Sequence, residues 1–190
     1  MQKLITFAVP CYNSGAYMRR CIDSLLVAGE DAEIVIVNDG SSDNTAEIAD
    51  EYAAKYPQTV RAVHKPNGGH GSGVNKGLEL AAGLYYKVVD SDDWLDEAAL
   101  RALLCRMREH REQGTLPDLY IANYVYEKLD EHKQVVRRYT KNMPTDTFFG
   151  WDKVKPFRAS AALLMHSLLY RTDLLRKSGT EPVLRVMAEA

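Results

Sequence analysis

The chain has 190 residues, 46% hydrophobic and 26% charged, with a formal net charge of −2, a globular balance long enough to bury a real core. The near-neutral charge gives no support for a nucleic-acid footprint. No apolar run approaches the roughly 20 residues that a membrane-spanning helix needs.

Residues 4–9 are a short apolar run closed by Pro10, too short for a signal-peptide core, and read as a strand. A helix is expected over 16–27, where Tyr17, Met18, Cys21, Ile22, Leu25 and Leu26 recur at helical spacing. Within 33–38, Ile34, Val35, Ile36 and Val37 form the continuous β-branched run of a parallel strand buried on both faces. Asp39, Gly40, Ser41, Ser42 and Asp43 are a turn cluster able to cap the next helix, expected over 45–55 and ended by Pro57. A third strand over 60–64, a glycine-rich loop over 67–73 and a third helix over 74–82 follow. A fourth strand over 85–89 runs into Asp90, Ser91, Asp92 and Asp93, and Asp96 caps a long helix to about residue 113.

The second half is less regular. Residues 118–125 and 134–139 read as strands of a hairpin, 165–170 as a further strand and 173–177 as a short helix. Ile121, Tyr124, Tyr126 and Tyr139 make it rich in aromatics, a surface through which copies could pair. Cys11, Cys21 and Cys105 are odd in number, lack metal-ligand spacing and fit structural thiols in a reducing cytoplasm. Four strand–helix units in succession imply an α/β fold, three layers around a mainly parallel sheet. In such sheets ligands sit beyond the carboxyl ends of the strands, and each polar cluster in the first half lies at one of those ends.

The acidic segment is the most informative. Three carboxylates in four residues repel one another, and hard oxygen ligands favour magnesium or manganese. On an extended chain Asp90 and Asp92 point the same way and can address one ion, whereas Asp93 and Asp96 suit turn and capping roles. Asp39 either accepts an N–H from a base ring or closes an Asx turn on its own backbone. Gly68, Gly69, Gly71 and Gly73 could admit a nucleotide close to the backbone. The loop is no phosphate-binding Walker A, since Val74 stands where lysine should follow, and it fails the dinucleotide fingerprint. His70 lacks companions at zinc spacing. Tyr12 can offer a ring face to a nucleobase, and Asn13 or Ser14 can cap the first helix.

Val9 to Asn13, Ile36 to Asp43, Asn67 to Gly77 and Asp90 to Asp93 resemble, in order and spacing, the motifs of family-2 glycosyltransferases. The resemblance covers half the chain and implies a GT-A fold, with residues 1–96 as the nucleotide-sugar half and 97–190 as part of the acceptor side of one domain. It implies a UDP-sugar donor, a glycan or lipid-linked acceptor, a divalent magnesium or manganese ion, and work in the cytoplasm at the inner face of the membrane. By the same resemblance Pro10, Tyr12, Asn13 and Asp39 contact the base. Asp90 addresses ribose, Asp92 binds the metal, and Gly68, Gly71 and Ser91 line the donor. Some members carry an arginine in the loop where this chain has glycines and His70, so the base is not settled by resemblance. The general base of the family's inverting mechanism lies beyond a strand–helix unit like 167–178, where Glu181 is the candidate. The chain soon ends, so weak transfer or a non-catalytic donor-binding module is the alternative expectation. A nucleotidyltransferase would need a basic glycine-rich loop after the first strand, where Cys11, Tyr12, Asn13, Ser14 and Gly15 stand instead.

Overall fold

The computed structural model describes residues 2–128, 133–157 and 163–178. Its first half is a run of parallel strands and crossover helices: β1 (Ile5–Cys11), α1 (Met18–Leu26), β2 (Ala32–Asp39), α2 (Thr45–Lys55), β3 (Val60–Lys65), α3 (His70–Leu80) and β4 (Tyr85–Val88). Then come α4 (Glu97–Glu112), β5 (Leu119–Ile121), β6 (Tyr124–Lys128), β7 (Lys133–Arg137), β8 (Leu168–Arg171) and α5 (Thr172–Ser178). Six strands form one sheet in the order β3-β2-β1-β4-β8-β5, and β6 and β7 form a separate hairpin.

β1, the central strand, shows how the sheet is built. It is buried along its whole length, between β2 and β4, both parallel to it. Ile5, Phe7, Val9 and Cys11 join a core with Met18, Ile22 and Leu25 of α1, Ile48 and Ala49 of α2, and Leu100, Leu104 and Met107 of α4. Ala8 faces the other way, into a smaller core with Val74 and Leu78 of α3 and Leu175 of α5. The helices thus cover both faces, which is why the strands read as unbroken apolar runs rather than alternating ones.

Three expectations are corrected. The third helix begins at His70, not 74, so the glycine-rich stretch is a loop only as far as Gly69. The glycines inside α3 serve close packing. A Cβ on Gly77 would lie 2.5 Å from the Ala8 Cβ, and one on Gly73 would lie 3.0 Å from the Pro10 Cβ. The strand expected over 118–125 is two strands. β5 pairs with β8, then the chain leaves the sheet and β6 pairs with β7. The break is held by the Ala122 N–H donating to the Ser167 carbonyl and by the Asn123 side chain accepting from the Tyr139 N–H. Residues Met165–Ser167, expected as strand, make a 3-10 turn that delivers the chain into β8.

Candidate functional site

The loops after β1, β2 and β4 are fastened to one another by short polar side chains, and a close glycine approach packs the β3 loop against that of β2. Asn13, in a left-handed conformation at φ 49°, takes the Ser42 N–H on its Oδ1 at 2.9 Å and gives its own N–H to Ser41 Oγ at 2.9 Å. It staples the β1 loop to the β2 loop and does not cap α1. Ser14 does not cap α1 with its side chain either. Its N–H donates to Thr45 Oγ1, and its hydroxyl shares a 2.8 Å hydrogen bond with that of Ser91. That buried contact joins the β1 loop to the acidic segment. Asp43 accepts the N–H groups of Gly15 and Thr45, each at 3.0 Å, so the turn after β2 does steady the start of α2. Gly40, at φ 71°, brings the β2 loop against the β3 loop, where a Cβ would lie 2.8 Å from the Asn67 nitrogen; only glycine suits both the angle and the approach.

Asp39 ends β2 and is 3% exposed. It pairs with the Lys65 ammonium at the end of β3 and accepts the Gly68 N–H on both oxygens, at 3.0 and 3.2 Å. Burial, the largest influence, pushes its pKa up, but Lys65 and Gly68 hold it below the ordinary value. Asp39 is therefore not closing an Asx turn on its own loop; it ties β2 to the loop after β3. Tyr12 is 55% exposed at the end of β1, an aromatic ring that the core does not use. Pro10 is buried, Gly68 is exposed, and Gly71 lies in the first turn of α3.

The acidic segment follows β4. His70, in the first turn of α3, meets Asp90 with Nε2 2.7 Å from Oδ1, and this contact raises its pKa. Asp93 turns back on Asp90 through its N–H, and its pKa is raised first by burial and then by the charges of Asp90 and Asp92. Asp96 caps α4, as expected, by accepting the Ala99 N–H. The segment is anchored on its far side. The Arg20 guanidinium lies 3.2 Å from the Trp94 ring centroid, and the Leu95 N–H donates to Ser24 Oγ. Among the described residues, one group of three could hold a metal ion: Asp90, Asp93 and His166, with ligand atoms within 4.8 Å of one another. Asp92 is exposed beside this group and is not part of it.

Three contributors escaped the sequence reading. Lys65 stands at the end of the third strand, where strand ends carry function. Lys87 interrupts the apolar run of β4; it is 3% exposed, its ammonium donates to the His166 carbonyl, and burial lowers its pKa to about 8 while Asp93 and Asp90 pull it up. A lysine inside a four-residue buried strand was a legible signal. His166 gave none, since only the pairing of β8 with β4 carries it to the site. Cys11 and Cys21 are buried and free, and burial raises both thiol pKa values, that of Cys11 to about 12. Glu181 lies outside the described residues.

A mostly parallel sheet, helices on both faces and polar groups gathered beyond the parallel strands define an α/β protein, and its likeness to TarS of S. aureus makes the fold GT-A. The chain belongs to glycosyl transferase family 2, whose profile matches residues 6–172. The profile of the phosphoglucomutase/phosphomannomutase C-terminal domain matches residues 159–190, too small a share of the chain to assign a family. An uncharacterized glycosyltransferase of Bacillus subtilis, EpsJ, is 40% identical over 117 residues, covering 61% of this chain and 33% of that protein. The chondroitin synthase of Pasteurella multocida is 39% identical over 121 residues, 63% of this chain and 12% of that one. The chain thus spans a third or less of the length of these curated relatives. Among solved structures, TarS 1–349 of S. aureus superposes with a TM-score of 0.66 at 25% identity, covering 92% of this chain and 49% of that one. TarS has also been solved in complex with UDP-GlcNAc.

Proposed function

We propose that the chain carries the donor site of a glycosyltransferase that moves a sugar from a nucleotide diphosphate, UDP in the first instance, to a saccharide or lipid-linked acceptor in polysaccharide or cell-surface glycan synthesis. The observation behind this reading is the gathering of exposed Tyr12, charged Asp39 and the Asp90–Asp92–Asp93 carboxylates at the carboxyl ends of the neighbouring strands β1, β2 and β4, with the loops there fastened to one another. In it, residues 1–96 bind donor and 97–190 begin the acceptor side. The Tyr12 ring stacks on the base and the Asp39 carboxylate accepts a base N–H, with Pro10 and Asn13 shaping the loop between them. Asp90 addresses ribose. Ser91 fixes the segment through Ser14, and the first turn of α3, with Gly71, offers N–H groups to phosphate oxygens, while Gly68, its N–H held by Asp39, lets the backbone pass close to the donor.

A hard divalent ion, magnesium or manganese, would be held by Asp90 and Asp92, and Asp90 also stands with Asp93 and His166 in a group whose ligand atoms lie within 4.8 Å of one another. Such an ion, when bound, offsets charge on the departing diphosphate. An acceptor-side carboxylate would take the proton of the attacking hydroxyl in an inverting displacement. The UDP-GlcNAc complex of TarS is in keeping with a UDP donor. Free thiols suit a reducing cytoplasm, and a glycan or lipid acceptor suits work at the inner face of the membrane. No helix among the described residues is long and apolar enough to cross a membrane.

Titration calorimetry of UDP with manganese and with a chelator tests the reading. Tight binding with manganese and weak binding with chelator are expected. Equal binding in both would remove the metal from the account, and no binding in either would remove the donor.

A further inference from the structure

We propose that the divalent ion of this site is held by an imidazole as well as by carboxylates, with His166 completing a three-group set with Asp90 and Asp93. The inference rests on the metal-dependent donor reading above and adds to it a ligand from the other half of the chain.

The two carboxylates come from the segment after β4, and the imidazole from the 3-10 turn Met165–Ser167 before β8. They meet because β8 pairs antiparallel with β4, Tyr86 opposite Tyr170 and Tyr85 opposite Arg171, so β8 starts where β4 ends. The ligand atoms of all three groups lie within 4.8 Å of one another, a spacing that one central ion can bridge.

The turn that bears His166 is held on several sides. The buried Lys87 ammonium donates to the His166 carbonyl. Ser167, fully buried, donates its hydroxyl to the Leu164 carbonyl at 2.6 Å, and its own carbonyl accepts the Ala122 N–H at 2.8 Å. The His166 ring meets the Tyr124 ring edge to face, with centroids 5.0 Å apart. A ring so confined loses little freedom when it binds an ion, and preorganised ligands bind more tightly. Two oxygens and one nitrogen suit manganese, and they leave positions open for diphosphate oxygens and for Asp92. His70 is a second imidazole at Asp90, its Nε2 2.7 Å from Oδ1, and it is not one of the three grouped ligands.

Pulsed electron paramagnetic resonance on the manganese-loaded full chain reads the ligands directly, because an imidazole nitrogen bound to manganese modulates the echo. Nitrogen modulation is expected in the unsubstituted chain. It should persist in His70→Asn and vanish in His166→Asn, with manganese affinity down tenfold or more in the latter. The measurement on the unsubstituted chain and on His70→Asn stands even if His166→Asn does not fold. Absence of modulation, or its loss in His70→Asn, overturns the proposal, and if UDP still requires manganese the donor reading survives. If UDP binds equally well without the metal, the metal leaves the donor reading and this proposal falls with it, while UDP binding stands.

Discussion

Asp39 carries a charge almost without solvent, and its partners set what its loss would do. Asparagine at this position keeps the shape and can still accept the Gly68 N–H, but it strips Lys65 of its counter-charge. A charge-assisted hydrogen bond is worth about 1.5–3 kcal/mol, so Asp39→Asn should weaken UDP binding about tenfold or more by calorimetry. A lower melting temperature with unchanged UDP affinity would make Asp39 a fastening between two loops and nothing else. Because its folded pKa is depressed, the stability it supplies is present above the ordinary carboxylate pKa and fades as pH falls through the folded value. His70 has the opposite sign. Its pKa is raised by contact with Asp90, so its contribution is full below the unfolded value and is lost as pH rises through the folded one. It is nearly half exposed, which keeps that contribution small. In an NMR titration of the metal-free protein, His70 should titrate above the ordinary value, and Asp90→Asn should bring it back toward about 6.5. An unmoved His70 would mean that the contact does not persist in solution.

At the scale of elements, α3 shows why a glycine pattern was misread. Glycine spacing suggests a loop when the partner of each glycine is unknown, and here the partner is the flat side of β1. An alanine in an exposed helix interior is favoured over glycine by about 1 kcal/mol. At Gly77 the added Cβ would press on the Ala8 Cβ at 2.5 Å and on the Tyr86 hydroxyl at 3.1 Å, which itself donates to the Val74 carbonyl. Overpacking of that kind typically costs about 1–3 kcal/mol. Gly77→Ala should therefore lower stability in urea denaturation despite its better helix propensity, and a gain would mean that α3 rides higher on the sheet. The second half was misread for a related reason. Residues 118–125 carry one apolar-aromatic pattern, but β5 finds its partner in β8 and β6 in β7, and local pattern cannot reveal which distant strand a segment will meet.

For the whole molecule, the proposed donor binding would be linked to folding, because the site is assembled from four loops that exist as a set only in the folded chain. A ligand specific to the folded state adds about 2.7 kcal/mol at a hundred times its Kd. For a domain of this size each kcal/mol is worth roughly 2–4 °C. UDP with manganese at that excess should raise the melting temperature by about 5–10 °C, and UDP with chelator should move it little. A rise of equal size with chelator would place the stabilisation on the nucleotide alone.

The order of strands and helices through β4, the two-sided burial of the sheet, the family and the position of Tyr12, Asp39 and the acidic segment were all legible in the sequence. Each depends on local periodicity or on motifs whose residues lie close together in the chain. What only the tertiary structure decided are the meetings between distant residues: Lys65 on Asp39, Asn13 on the β2 loop, Lys87 under His166, and His166 beside Asp90 and Asp93. These follow from which strands lie side by side and where each one stops. Strand pairing is selected by the packing of the entire sheet, so no window of sequence contains it.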